Sequence, residues 1–320
     1  MVAGGEGCSP LRVLFCGTPE FAVPSLERLA ADSDIKLLAV LTQPDRPRGR
    51  GREVSPSPVK ARAAALGLPV FQPEKIRSAD SERLLREAAP DAIVIIAYGQ
   101  IIPAGLLDVP RLGWINLHAS LLPRYRGAAP IQWAVASGER TTGVTTMRID
   151  AGLDTGDLLL ARELEIGERE TAPELAARLA AAGAPLMAET LRGLRDGTLT
   201  ARPQDSSGAS LAPLLRKEDG RIDWARPARA IYDRMRGFAP WPGAFSSFRE
   251  VTCHLVGEPG PARAGAEPPG TMRFDGRELL VAAAQQSFLR VTHVKVEGRR
   301  QVSALEFANG ARLRPGEQFV

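Results

Sequence analysis

The chain has 320 residues, 44% hydrophobic and 24% charged, with a formal net charge of +4; that is the balance of a globular protein longer than one average domain, and it argues against a disordered or fibrous class. Cys8, Cys16 and Cys253 are odd in number and lack any C-x-x-C spacing, which argues against a disulfide framework or a structural zinc. Residues 1–7 carry neither a basic region nor an apolar core, and the longest apolar run, residues 92–98, is far below the roughly 18 residues of a membrane span, so a cytoplasmic, unprocessed chain is expected.

In chain order, Leu11-Arg12-Val13-Leu14-Phe15 predicts a strand ending at Gly17-Thr18-Pro19-Glu20-Phe21, followed by a helical pattern through Leu26 and Leu29. Further strands are predicted over residues 35–41 and 92–97, with helical segments at 59–66 and 81–88. Near-continuous apolar strands alternating with helices indicate a parallel sheet covered on both faces, a doubly wound (Rossmann-like) α/β fold. The first turn offers Gly17 followed by Thr18 and Pro19 instead of G-x-G-x-x-G, which argues against a dinucleotide cofactor.

Between Gln43 and Lys60, Pro44-Asp45-Arg46-Pro47-Arg48-Gly49-Arg50-Gly51-Arg52-Glu53 carries four basic and two acidic residues among repeated Pro and Gly, and Lys60 at its end makes a fifth basic residue. It is expected to be an exposed, mobile, cationic loop with no regular element, and Arg46, Arg48, Arg50 and Arg52 are candidates for gripping the phosphates of a nucleic acid.

The stretch from Trp114 to Gly127 concentrates the chemistry. Asn116 and His118 are two apart, so on a strand both side chains point to one face while Ile115 and Leu117 point to the other. His118 is one of only three histidines, with His254 and His293. The loop after it, Ser120-Leu121-Leu122-Pro123-Arg124-Tyr125-Arg126-Gly127, bears two arginines and an aromatic, which suits a planar, anionic ligand. A helix is predicted over residues 130–136 and a strand over 141–149, delivering the chain to Asp150-Ala151-Gly152-Leu153-Asp154-Thr155-Gly156-Asp157. The spacing of these acids fails the pattern of a calcium loop. Asn116, His118 and one acid of this loop could serve acyl transfer to an amine: such transfer needs donors for an oxyanion, an acceptor for the amine proton and a group to orient the histidine.

A long Ala/Leu-rich helix, residues 172–193, is capped at Thr171-Ala172-Pro173-Glu174 and precedes an irregular, polar linker. Beyond it come one helix, about residues 228–236, and brief strands such as 279–282 and 288–291, which predict a small, OB-like β-barrel. From Ser206 onward there are 17 Lys+Arg against 12 Asp+Glu, a mild excess that favours a polyanionic partner.

Gly17-Thr18-Pro19-Glu20-Phe21-Ala22, Gln43-Pro44-Asp45-Arg46-Pro47, Pro56-Ser57-Pro58-Val59-Lys60, Asn116-Leu117-His118-Ala119-Ser120-Leu121-Leu122-Pro123, Gly152-Leu153-Asp154-Thr155-Gly156-Asp157, Arg221-Ile222-Asp223-Trp224 and Pro240-Trp241-Pro242-Gly243-Ala244 together resemble the methionyl-tRNA formyltransferase family nearly end to end. H-x-S-L-L-P with G-x-D-T-G-D marks the wider 10-formyltetrahydrofolate transferase superfamily, and Tyr125 stands where a Trp often occurs. The resemblance implies catalytic roles for Asn116, His118 and Asp154, with Asp150 and Asp157 shaping the loop. It also implies folate binding at Ser120, Leu121, Leu122 and Pro123, and tRNA contact around Arg50. The reaction it implies moves a formyl group from 10-formyltetrahydrofolate to methionyl-initiator tRNA, with no metal and no membrane, by a monomer. The expected domains are a disordered extension at 1–10, a catalytic domain at 11–196, a linker at 197–215 and a tRNA-binding barrel at 216–320. A sibling enzyme that formylates a small amine would share the site without evident use for the basic loop and barrel. A non-catalytic tRNA-binding protein would have no reason to assemble Asn116, His118 and Asp154.

Overall fold

A computed structural model describes residues 9–48, 53–261 and 267–320, without the side chains of 47, 48, 53 and 54. Its contacts divide the chain into two compact units, Met1–Gly127 with Thr142–Glu165 and Ala176–Leu211, and Ala128–Thr141 with Ile166–Leu175 and Ala212–Val320.

The first unit is built on β1 (Leu11–Gly17), α1 (Val23–Ala30), β2 (Ile35–Leu41), β3 (Arg46–Arg48), β4 (Glu53–Ser55), α2 (Pro58–Ala65), β5 (Val70–Phe71), α3 (Ala79–Ala88), β6 (Ala92–Ile96) and β7 (Trp114–His118). The chain then passes through α4 (Pro130–Ala136), β8 (Thr141–Arg148), β9 (Leu158–Glu165) and α5 (Ala172–Arg195). Seven strands pair in the order β5-β2-β1-β6-β7-β8-β9. From β5 to β7 neighbours run parallel, and β8 lies antiparallel on β7. All five residues of β6, Ala-Ile-Val-Ile-Ile, are buried, which is why the sequence runs apolar without alternation: both sheet faces are covered. The chain leaves β1 first toward β2 and later returns to its other side as β6, so the strand order reverses between β1 and β6. β9, with its charged Arg162, Glu163 and Glu165, was not foreseen; as an edge strand it tolerates the exposed charges that hid it from an apolar-run reading.

The second unit adds α6 (Ala228–Gly237), β10 (Phe245–Phe248), β11 (Val251–Pro259), β12 (Met272–Phe274), β13 (Leu279–Ala283), β14 (Ser287–Val296), β15 (Val302–Ser303) and α7 (Ala304–Ala311). Its antiparallel sheet, ordered β10-β11-β14-β13-β12 with β15 on β14, curls into a half-barrel. The C-terminal residues complete the curl: Val320 exchanges backbone hydrogen bonds with Ser247 beside one edge, while Glu317 and Phe319 bond Met272 and Gly270 beside the other. Phe319 is 1% exposed and lies among Trp224, Phe248 and Phe307 at ring-centroid distances of 5.9 to 6.1 Å. Arg236, buried and paired with Asp233, donates to the carbonyls of Gly167 and Glu170, which fixes the turn between β9 and α5 in this unit. α7 was also unforeseen, although Ser303 and Glu306 form a capping box at its start.

Candidate active site

β7 ends at the C-terminal edge of the sheet, where ligands bind in open α/β folds. Its outer residues sit as the two-residue period requires: Leu117 is buried under α5, against Gly183, while Asn116 is half-buried and His118 is 6% exposed. β8 pairs Asn116 with Met147 and His118 with Thr145.

The loop after β7 is held from within. Thr145 Oγ1 donates to the Ser120 carbonyl at 2.7 Å and accepts from the Leu122 amide at 3.2 Å, and the Ser120 hydroxyl donates to the Arg124 carbonyl at 2.6 Å. Tyr125, in the left-handed region at φ 59°, turns its carbonyl to His118, which donates from Nε2 at 2.9 Å. A carbonyl oxygen can only accept, so Nε2 carries a hydrogen.

Asp154 comes to the other imidazole nitrogen, with Oδ2 at 3.6 Å from His118 Nδ1. That is just beyond a hydrogen bond and within ion-pair reach, a spacing common for catalytic pairs without substrate. The same Oδ2 accepts the Gly127 amide at 2.8 Å, so the carboxylate ties the two loops together. Asp150 closes its own turn by accepting from Thr155 Oγ1 at 2.8 Å and from the Gly152 amide at 3.0 Å. Gly156 is required there, because a Cβ would lie 1.9 Å from the Arg148 carbonyl.

His118 and Asp154 therefore meet, and Asn116 stands one strand period before His118 on the same face of β7. Of the four residues expected to bind folate, Ser120 is fully buried and its hydroxyl is committed to the loop, Leu122 is buried, and Leu121 and Pro123 are half-buried with surface to offer. The reading of Arg126 as an anion grip needs correction: it is 8% exposed and donates from Nε and Nη2 to Gln204 Oε1 at 3.1 and 2.7 Å. Gln204, in the stretch expected to be mere linker, is the residue sequence reasoning missed; an amide in a polar, aperiodic segment gives no signal before its neighbours are known.

The expectation of no regular element in the cationic loop needs correction, because residues 46–48 and 53–55 pair as two short antiparallel strands with Arg46 opposite Ser55 and Arg48 opposite Glu53. Its base is clamped: Thr42 and Ser57 hydroxyls bond at 2.8 Å, and Asp45 pairs with Lys60 and accepts from Gln72 at 2.8 Å. Arg46 is exposed; Arg50, Arg52 and the side chain of Arg48 lie outside the described residues, as do residues 1–8 of the expected extension. Among the described residues no group of three or more His, Cys, Asp or Glu could hold a metal ion, and no helix is long and apolar enough to cross a membrane.

Comparison with known proteins places this geometry. Residues 11–191 match the formyl transferase model and residues 214–312 the formyl transferase C-terminal domain model. A methionyl-tRNA formyltransferase of Solibacter usitatus is 53% identical over 310 residues, covering 97% of this chain and 98% of the relative. Among solved structures, an N-formyltransferase of Helicobacter canadensis in complex with folinic acid and dTDP-3-aminofucose has a TM-score of 0.64 at 16% identity, covering 88% of this chain and 98% of that one. HypX of Aquifex aeolicus in complex with tetrahydrofolic acid has a TM-score of 0.61 at 16% identity, covering 98% of this chain and 51% of that one. At such identities the likeness is one of fold.

Proposed function

Because the chain belongs to the formyl transferase family, and within it to the methionyl-tRNA formyltransferases, we infer that it moves a formyl group from 10-formyltetrahydrofolate to the α-amino group of methionine esterified to initiator tRNA. It is a one-carbon group transferase. The observation that carries the chemical reading is the approach of Asp154 to His118, 3.6 Å apart, beside Asn116 at the C-terminal edge of the sheet.

Attack of an amine on the formyl carbon places negative charge on the formyl oxygen and positive charge on the nitrogen. Asn116 and the Nε2–H of His118 are the donors for the oxygen, the latter after leaving the Tyr125 carbonyl. Asp154 orients the imidazole through Oδ2, which the Gly127 amide anchors, and Oδ1 accepts the amine proton directly or through one water and passes it to the folate nitrogen as that nitrogen's bond to the formyl carbon breaks. The donor supplies the activated formyl group and the leaving nitrogen. Leu121 and Pro123 offer its ring system a half-buried apolar seat, while Ser120 and Leu122 hold the loop.

The tRNA is gripped by Arg46, Arg48, Arg50 and Arg52 of the basic 43–60 stretch and by the basic C-terminal part. We assign the transfer to residues 11–196 and much of the tRNA grip to 216–320, with 197–215 between, acting as a monomer in the cytoplasm. The test is formyl transfer from 10-formyltetrahydrofolate to charged initiator tRNA, to charged elongator tRNA, and to glycinamide ribonucleotide or a nucleotide amino sugar. Initiator tRNA should be formylated in strong preference; transfer to a small amine alone would overturn the reading.

A further inference from the structure

We propose that Gln204 is a positioning residue for the transfer: its carboxamide holds the Asp154 loop and, through Arg126, the loop that follows His118. The proposal rests on the reading of Asp154 and His118 as the reacting pair. Asp154 adopts φ 51°, a left-handed conformation that persists only where neighbours impose it. Gln204 imposes it from behind, donating both N–H groups of Nε2, to the Asp154 carbonyl at 2.8 Å and the Gly156 carbonyl at 2.7 Å. Its Oε1 accepts from Arg126 Nε and Nη2. One carboxamide is thereby fully satisfied while joining two loops, with no hydrogen-bonding capacity left for a substrate.

The same short segment acts again six residues on. Ser210 accepts the Tyr125 amide on Oγ at 2.9 Å and the Arg126 amide on its carbonyl at 2.8 Å. Tyr125 is the residue whose carbonyl faces His118 Nε2, and Arg126 precedes Gly127, whose amide holds Asp154. Residues 204–210 thus reach both nitrogens of the imidazole at one remove: Nδ1 through Gln204 and Asp154, Nε2 through Ser210 and Tyr125.

Gln204→Glu isolates the effect. A carboxylate keeps the shape and still pairs with the buried Arg126 guanidinium, but it has no N–H for the Asp154 and Gly156 carbonyls and turns an oxygen toward them. We expect kcat to fall about ten- to a hundredfold, the cost of a misplaced reacting group, with both KM values within about twofold and the variant still folded at the assay temperature. The loss should vanish when Asp154→Asn is already present, because Gln204 acts through Asp154. Exchange of the Gly127 amide should quicken, since its acceptor is no longer held. Should Gln204→Glu fold poorly, Gln204→Met with Arg126→Met removes the guanidinium together with its partner, and the same pattern is expected. An undiminished kcat, an equal loss in the Asp154→Asn background, or unchanged Gly127 exchange would overturn the proposal. If the wild-type chain formylated no charged tRNA, the functional reading would fail, and Gly127 exchange would still decide whether Gln204 holds Asp154.

Discussion

At the scale of single residues the site is an exercise in giving one imidazole two fixed neighbours. His118 has the Tyr125 carbonyl on Nε2 and the Asp154 carboxylate near Nδ1, and both neighbours sit on residues with positive φ. Asn116, one strand period away, is half-buried, so its carboxamide keeps surface to offer a transient oxyanion. Asn116→Ala should therefore lower kcat about 10²- to 10³-fold, the usual cost of one lost oxyanion donor, with little change in KM for tRNA; steady-state kinetics check this, and a change confined to KM would contradict it. The polar residues of the strand and of the acidic loop were legible in the sequence because their chemistry is carried by residue type and short spacing. Arg126 was misread for the opposite reason: a charge in a loop signals solvent or an anion until its neighbour, 78 positions away, is known.

At the scale of elements, the strand that carries the site depends on how closely a helix lies behind it. A Cβ added to Gly183 of α5 would stand 2.4 Å from Leu117 Cδ2 and 3.2 Å from its Cγ, and Leu117 is buried with little room to yield. Gly→Ala inside a helix ordinarily stabilises by about 1 kcal/mol. Here overpacking costs about 1 to 3 kcal/mol, so Gly183→Ala should lower stability and, by pushing β7, lower kcat as well. Denaturant unfolding beside kinetics decides the matter, and a stabilised, fully active variant would count against this packing. The parallel core was readable because strands buried on both faces have no choice but to be apolar, as in Ala92-Ile93-Val94-Ile95-Ile96. β9 and the paired strands 46–48 and 53–55 were not, since short or edge strands need not follow an apolar pattern, and their pairing is fixed by partners distant from the local pattern.

At the scale of the whole molecule, two compact units with different sheets serve one reaction on a large, polyanionic substrate. Basic residues exceed acidic ones from Ser206 onward, while the first part is balanced except for its arginine-rich stretch between Gln43 and Lys60. KM for charged tRNA should accordingly rise with salt, each neutralised phosphate adding about 0.9 to the logarithmic slope for a duplex, and Arg50→Ala should reduce that slope by about one. KM for the folate should follow salt far less, and an unchanged tRNA slope in Arg50→Ala would remove Arg50 from the interface. We infer that Asp154 and His118, brought together by the meeting of two loops, perform formyl transfer to methionyl-initiator tRNA. The single-turnover rate of that transfer in the wild-type chain and in Asp154→Asn decides this. The wild type should formylate the tRNA, and the variant should bind it equally well yet transfer about 10²- to 10⁴-fold more slowly. A variant with near wild-type rate would contradict the account.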